Sequence, residues 1–189
     1  MKEVKGIQER LDVLRSRIQE EDFLKGEGLS NEENIFIFCY KPEEEMLIRH
    51  FIKKLIDDTD LICDIKSFNL YDVFLSICDD KHITEKIPAM EERKGKDYIL
   101  KQLHSIASSN MFIKKMYYEP QERGKDILFL YGVGEVFPFM RVHALLEALK
   151  PAFPEIPILV MYPGTFANEE LKLFNRLEPK SYYRAFNLI

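Results

Sequence analysis

No apolar run in this sequence reaches the roughly 20 residues that a membrane-crossing helix needs. Cysteine is scarce: Cys39, Cys63 and Cys78 are the only three, and each sits inside an apolar stretch with no second cysteine at a short paired spacing. They read as small buried hydrophobes of a reducing compartment, not as a disulfide framework or a metal site. An excess of positive charge is also missing, with 27 basic against 32 acidic side chains and a net charge of -5. That balance excludes an autonomous grip on a phosphate backbone, so no direct nucleic-acid partner is expected. The opening MKEVKGIQERLDVLRSRIQEEDF alternates charges where a signal peptide carries an apolar core. The expectation is a cytoplasmic chain with no membrane role. Internal repeats and low-complexity tracts are absent too.

The signatures of common catalysts are wanting as well. His50, His82, His104 and His143 are scattered, with no HExxH pair and no histidine–cysteine spacing suited to zinc, so no metal site and no cofactor are expected. A phosphate-binding P-loop needs Lys and Ser/Thr after its last glycine. Here Gly134 is followed by Glu135-Val136-Phe137. The third glycine of a dinucleotide fingerprint would fall at Phe137.

What is present is enough apolar material for one core: 46% hydrophobic residues in a chain of 189. The pattern predicts a single α/β domain over 1–189. An amphipathic helix within 1–20 carries Ile7, Leu11, Leu14 and Ile18 on one stripe, to lie on the sheet or on a partner. Lys25 to Asn34 reads as a loop. Ile35–Tyr40 is a continuous apolar strand, a helix runs from Pro42 through Ile56, and Leu61–Ile65 reads as a second strand. Helical patterns fill 70–118, with a break near Ser108-Ser109-Asn110, as an insertion or cap on the sheet.

Asp126–Tyr131 is the clearest strand. After it come a Gly132-Val133-Gly134 turn and a helix from Pro138 to Leu149. Ile156–Tyr162 is the next strand, with Pro163-Gly164 as a turn, a helix over Asn168–Leu177, and Tyr182–Ile189 as a last strand. Apolar strands alternating with helices predict a three-layer α/β fold, a mostly parallel sheet with helices on both faces, Rossmann-like or like a degenerate NTPase, with a helical middle segment.

The two turns after Tyr131 and Tyr162 lie where open α/β sheets place their ligands. Glu135 stands at the first, as a conceivable acid or base without a partner visible in sequence, and more commonly as a helix-dipole partner. Arg141 is the candidate clamp for an anion or carboxylate. His143, two residues on, points elsewhere and forms no dyad with it, although it can reach Glu147 one turn later. The other candidate positions are Gly132, Gly134, Tyr162, Pro163, Gly164 and Arg184.

The ordered segments IQERLDVL, FCYKPEEE, FNLYDVF, LFLYGVGEVFPFMRVHALLEAL, PILVMYPG and YYRAFNLI resemble the BrxB family of bacteriophage exclusion (BREX) systems over nearly the whole chain. The resemblance implies a component of anti-phage defence that works beside a PglZ-type protein of the alkaline-phosphatase superfamily, a large ATPase and a DNA methyltransferase. It supplies no catalytic residues. The expectation is therefore a non-catalytic interaction or adaptor subunit whose partners are the PglZ-type protein and other BREX subunits, with a homodimer also open. The alternative is a nucleotide-binding or hydrolytic domain using the cleft at Gly132-Gly134 and Pro163-Gly164.

Overall fold

A computed structural model describes residues 6–26, 34–167, 170–177 and 186–187. Helix α1 (Ile7–Arg17) buries Leu11 and Leu14, and the short α2 (Glu21–Leu24) buries Phe23 and Leu24. Strand β1 (Ile35–Tyr40) has the bounds its apolar run predicts and is buried throughout. Pro42 opens a 3-10 turn that leads into α3 (Glu45–Ile56), whose Ile48, Ile52 and Leu55 face inward. Strand β2 (Asp64–Asn69) follows. Asn69 then caps α4 (Leu70–Asp80) by accepting the Tyr71 N–H at 2.8 Å.

The middle of the chain is helical, as expected. It contains α5 (Ile87–Lys94), α6 (Lys96–Ile106) and α7 (Ser109–Met116), the last two separated at Ala107-Ser108. Strand β3 (Asp126–Tyr131) again matches its apolar run. The short α8 (Val133–Val136) and then α9 (Val142–Leu149) lead to β4 (Ile158–Ala167), β5 (Glu170–Leu173) and β6 (Phe186–Asn187).

The strands form a parallel sheet in the order β2-β3-β4-β1-β6, while β5 pairs antiparallel with the far end of β4. Side chains alternate between two cores because successive strand residues point to opposite faces. Phe36, Phe38, Phe129, Leu159 and Met161 meet α1, α2 and α3 on one face. Ile35, Ile37, Leu128, Leu130 and Val160 meet α4, α6, α7 and α9 on the other. This is the three-layer α/β architecture. The helices of the 70–118 segment share the second core, with Phe74, Ile99, Leu103, Phe112 and Met116 all buried in it. The stripe of α1 is spent on the sheet, and Arg10 fastens that helix by donating to the Cys39 carbonyl at 2.6 Å.

Four expectations from the sequence need correction. Leu61–Ile65 is not a strand over its first three residues: β2 starts at Asp64, and Ile62 is 67% exposed. The helix read from Pro138 starts only at Val142: Phe139 and Met140 donate back to the Val136 carbonyl in a turn, and Arg141 is extended as the N-cap of α9. Pro163-Gly164 is not a turn, since both residues continue β4, with Pro163 level with Tyr40 and Gly164 opposite Leu173. The helix over Asn168–Leu177 is instead β5 and a following turn, with Asn168 itself outside the described residues. Most of the Lys25–Asn34 loop, and the final strand apart from β6, also lie outside them.

The three cysteines are free and buried. Burial pushes the Cys39 thiol up from 9.0 to about 12 and the Cys63 thiol to about 11. Raised folded-state values contribute stability that is complete below the unfolded thiol's pKa and is lost as pH climbs toward the folded one. We therefore expect the urea midpoint to fall between about pH 8 and about pH 11, with native thiols slow to alkylate at the lower pH. An unchanged midpoint and rapid alkylation of the folded chain contradict this.

Candidate functional site

The carboxyl ends of β1, β2 and β3 converge where helices leave toward opposite faces, α3 to one and α4 and α8 to the other. Open parallel sheets bind ligands at such a switch point. Here the crevice is occupied by the chain's own side chains. Glu135, on α8, accepts a charge-assisted bond from Arg49 of α3 on one oxygen, and from the Asn69 amide at 2.9 Å on the other. Arg49 also donates to Glu45 at 3.0 Å, and the Tyr40 hydroxyl donates to the same carboxylate at 2.7 Å. A line of polar groups, Tyr40–Glu45–Arg49–Glu135–Asn69, thus ties α3 to α8 across the sheet edge. Half-exposed ion pairs of this kind contribute little stability, commonly under about 1 kcal/mol, but they fix geometry.

Electrostatics follows from this closure. Burial, then the Glu45 hydrogen bond, pushes the Tyr40 phenol far above its usual value. Tyr131, at the end of β3, is raised by burial and then by Asp72 and Glu135. Both phenols stay protonated at neutral pH, and that of Tyr40 donates to Glu45. Beside them a shallow hollow of about 230 Å³ is lined by Arg49, Ile52, Lys53, Ile56, Asp57 and Tyr131. No group of three or more His, Cys, Asp or Glu suited to a metal ion occurs among the described residues.

The candidate positions fall into three groups. Gly132, Gly134, Glu135, Pro163 and Gly164 come together. Gly132 has φ 75°, and a Cβ there would stand 2.3 Å from Asn69 Oδ1. A Cβ on Gly134 would meet the Phe174 ring at 2.9 Å and Pro163 at 3.3 Å. The room these glycines leave is taken by protein, because Phe174 follows β5 and the hairpin folds it back, its N–H donating to the Pro163 carbonyl at 2.8 Å. Tyr162 is buried in β4 below this corner, with its phenol raised by burial.

Arg141 and His143 form the second group. Arg141 is exposed at the N-cap of α9 and His143 is half-buried in its first turn. Neither joins the Glu135 network. Arg184 lies outside the described residues.

Sequence reasoning missed Arg49, Asn69, Glu45 and Phe174. Of these only Asn69 carried a local signal, as an Asn just before an apolar helix, which is a preferred cap. Arg49 lies 86 residues from Glu135 in sequence, and nothing local announces their pairing.

Fold and site together define a three-layer α/β protein whose strand-end crevice is closed by an internal ion pair and a hairpin. The family model described as BREX protein BrxB matches residues 66–188. A BREX protein BrxB of Bacillus cereus (strain H3081.97) is 38% identical over 192 residues, covering 98% of this chain and 99% of that protein. Another BREX protein BrxB, of Escherichia coli O9:H4 (strain HS), is 27% identical over 180 residues, covering 95% and 90%. The chain belongs to the BrxB family of BREX anti-phage systems. No solved structure gives a significant match. No helix among the described residues is long and apolar enough to cross a membrane.

Proposed function

We propose that this chain is a non-catalytic interaction subunit of a BREX complex, with other BREX subunits as partners and the PglZ-type protein as the principal one. The observation that carries this reading is the occupied crevice: where a parallel α/β sheet would receive a ligand, Glu135 is held by Arg49 and Asn69, and Phe174 lies over Gly134. Apolar side chains stand exposed beside it. Met46 and Leu47, in the first turn of α3 just before Arg49, are 76% and 54% exposed. Met and Arg are enriched in protein interfaces, where they act as anchors. Arg141, exposed and with no side-chain hydrogen bond or ion pair among the described residues, adds a second cation that an acidic partner surface can engage.

The test is co-expression of this chain with the PglZ-type protein. The expected result is one complex on size exclusion at micromolar concentration, weakened by Arg141→Ala with the circular dichroism spectrum unchanged. Failure of the wild-type proteins to associate overturns the reading. For the alternative, a nucleotide-binding or hydrolytic domain, calorimetry with ATP and GTP is decisive, and saturable heat would establish it in place of the adaptor reading.

A further inference from the structure

Strand β2 is the edge of the sheet, bonded on one side only to β3. The Asp64 N–H donates to the Lys125 carbonyl, which sets the phase of the ladder. Residues 64, 66 and 68 turn their main-chain groups toward β3, and Ile65 and Ser67 turn theirs outward. Among the described residues nothing accepts the outward N–H groups of Ile65 and Ser67. An uncovered edge of this kind is a template for another strand. Apolar side chains flank it. Ile62 is 67% and Ile56 40% exposed, and Ile56, Leu61 and Ile65 line one hollow beside the strand.

A lysine in mid-strand normally guards an edge against pairing. Lys66 does occupy that place, 3.6 Å from the buried Asp126, but Asp64 lies two residues before it on the same face, 3.8 Å from Lys66 and 3.2 Å from Lys125. This pairing of opposite charges makes the edge complementary to itself. In an antiparallel pair that sets Ile65 against Ile65 of a second copy, Asp64 of each strand falls opposite Lys66 of the other. Those two positions form the non-hydrogen-bonded pairs, where side chains approach closest. The same register leaves Ile65, with its outward groups, to exchange main-chain hydrogen bonds across the two-fold axis. A slip of two residues, the next register that keeps outward main-chain groups facing each other, sets Lys66 against Lys66 and is repelled.

We propose that β2 is a homodimer edge: two copies of this chain join antiparallel through it into one continuous sheet, in the register that opposes Asp64 and Lys66. The closed, two-fold arrangement is the commonest form of protein self-association. The α1 stripe, the other surface from which a homodimer was open, is consumed by the sheet.

The test is the solution mass of the full chain by light scattering at micromolar concentration. Wild type is expected at twice the 22.4 kDa of one chain. Ser67→Pro, which removes an outward donor and leaves the β2–β3 ladder intact, is expected at the mass of one chain. Charge reversal tests the register, with the melting point of each variant read alongside, because Lys66 also pairs with the buried Asp126. Lys66→Glu alone and Asp64→Lys alone oppose like charges and are expected to stay monomeric, whereas an equimolar mixture of the two restores both opposite pairs and the dimer.

A monomeric wild type overturns the proposal. So does a dimer that survives Ser67→Pro, or a mixture of folded charge variants that stays monomeric. Partner binding by a strictly monomeric chain would sink this inference and leave the adaptor reading standing. A dimer with no BREX partner would do the reverse.

Discussion

Replacing Gly164 by Ala is expected to lower the melting temperature by about 6–12 °C, equivalent to roughly 3 kcal/mol for a chain of this size. The new Cβ would lie 2.1 Å from the Lys172 carbonyl oxygen and 3.0 Å from its carbon. Both belong to backbone, in the strand facing Gly164 across the β4–β5 hairpin. No rotamer relieves such a contact, so the strands must part. Parting them withdraws Leu173 from the second core and Phe174 from its place over Gly134. Thermal unfolding followed by circular dichroism checks this, and a melting point within a degree or two of wild type would show that the hairpin is not built as described.

Gly132→Ala is the second large loss, expected at about 2–3 kcal/mol. Two costs add. A residue with a Cβ resists the left-handed conformation of φ 75°, and the same Cβ meets Asn69 Oδ1 at 2.3 Å and Cγ at 2.9 Å. Displacing Asn69 uncaps α4 and releases one donor from Glu135. The two costs are separable by a double-mutant cycle. In an Asn69→Ala background the steric part is gone, so Gly132→Ala then costs only its backbone strain. Gly134→Ala provides the contrast, expected near 1 kcal/mol, because its neighbour is a phenylalanine ring that can pivot. Equal losses at both glycines, with no coupling between Gly132 and Asn69, would contradict the geometry.

The strands legible in the sequence are those buried on both faces. β1 and β3 lie inside the sheet, and their apolar runs coincide with their bounds at both ends. β2 is an edge strand whose residues are all half-buried, so charge and hydroxyl interleave with Ile65 and Phe68. The eye is drawn instead to Leu61-Ile62-Cys63. β5 is hidden in the sequence for another reason. Leu171, Phe174 and Leu177 recur at helical spacing, but the pairing of β5 with β4 overrides that local pattern.

Pro163-Gly164 has the composition of a turn. It lies within β4 because proline's missing N–H is harmless where β1 ends at Tyr40, and because only glycine lets the Lys172 carbonyl approach so closely. Of the site, the glycines and Glu135 were visible as a cluster after β3. Their partners Arg49, Asn69 and Phe174 come from three other elements and were not, which is why the cleft looked open in sequence and is filled in the fold.

The most direct measurement is a pull-down by the tagged chain from cells carrying the whole BREX operon, comparing wild type with the double variant Met46→Asp, Leu47→Asp. Both side chains are solvent-exposed on α3, so the variant should keep its fold and its melting point. Wild type is expected to recover the PglZ-type protein and the variant to lose it. Equal recovery by the two would place the partner away from the strand-end face, and no recovery by wild type would contradict the interaction role itself.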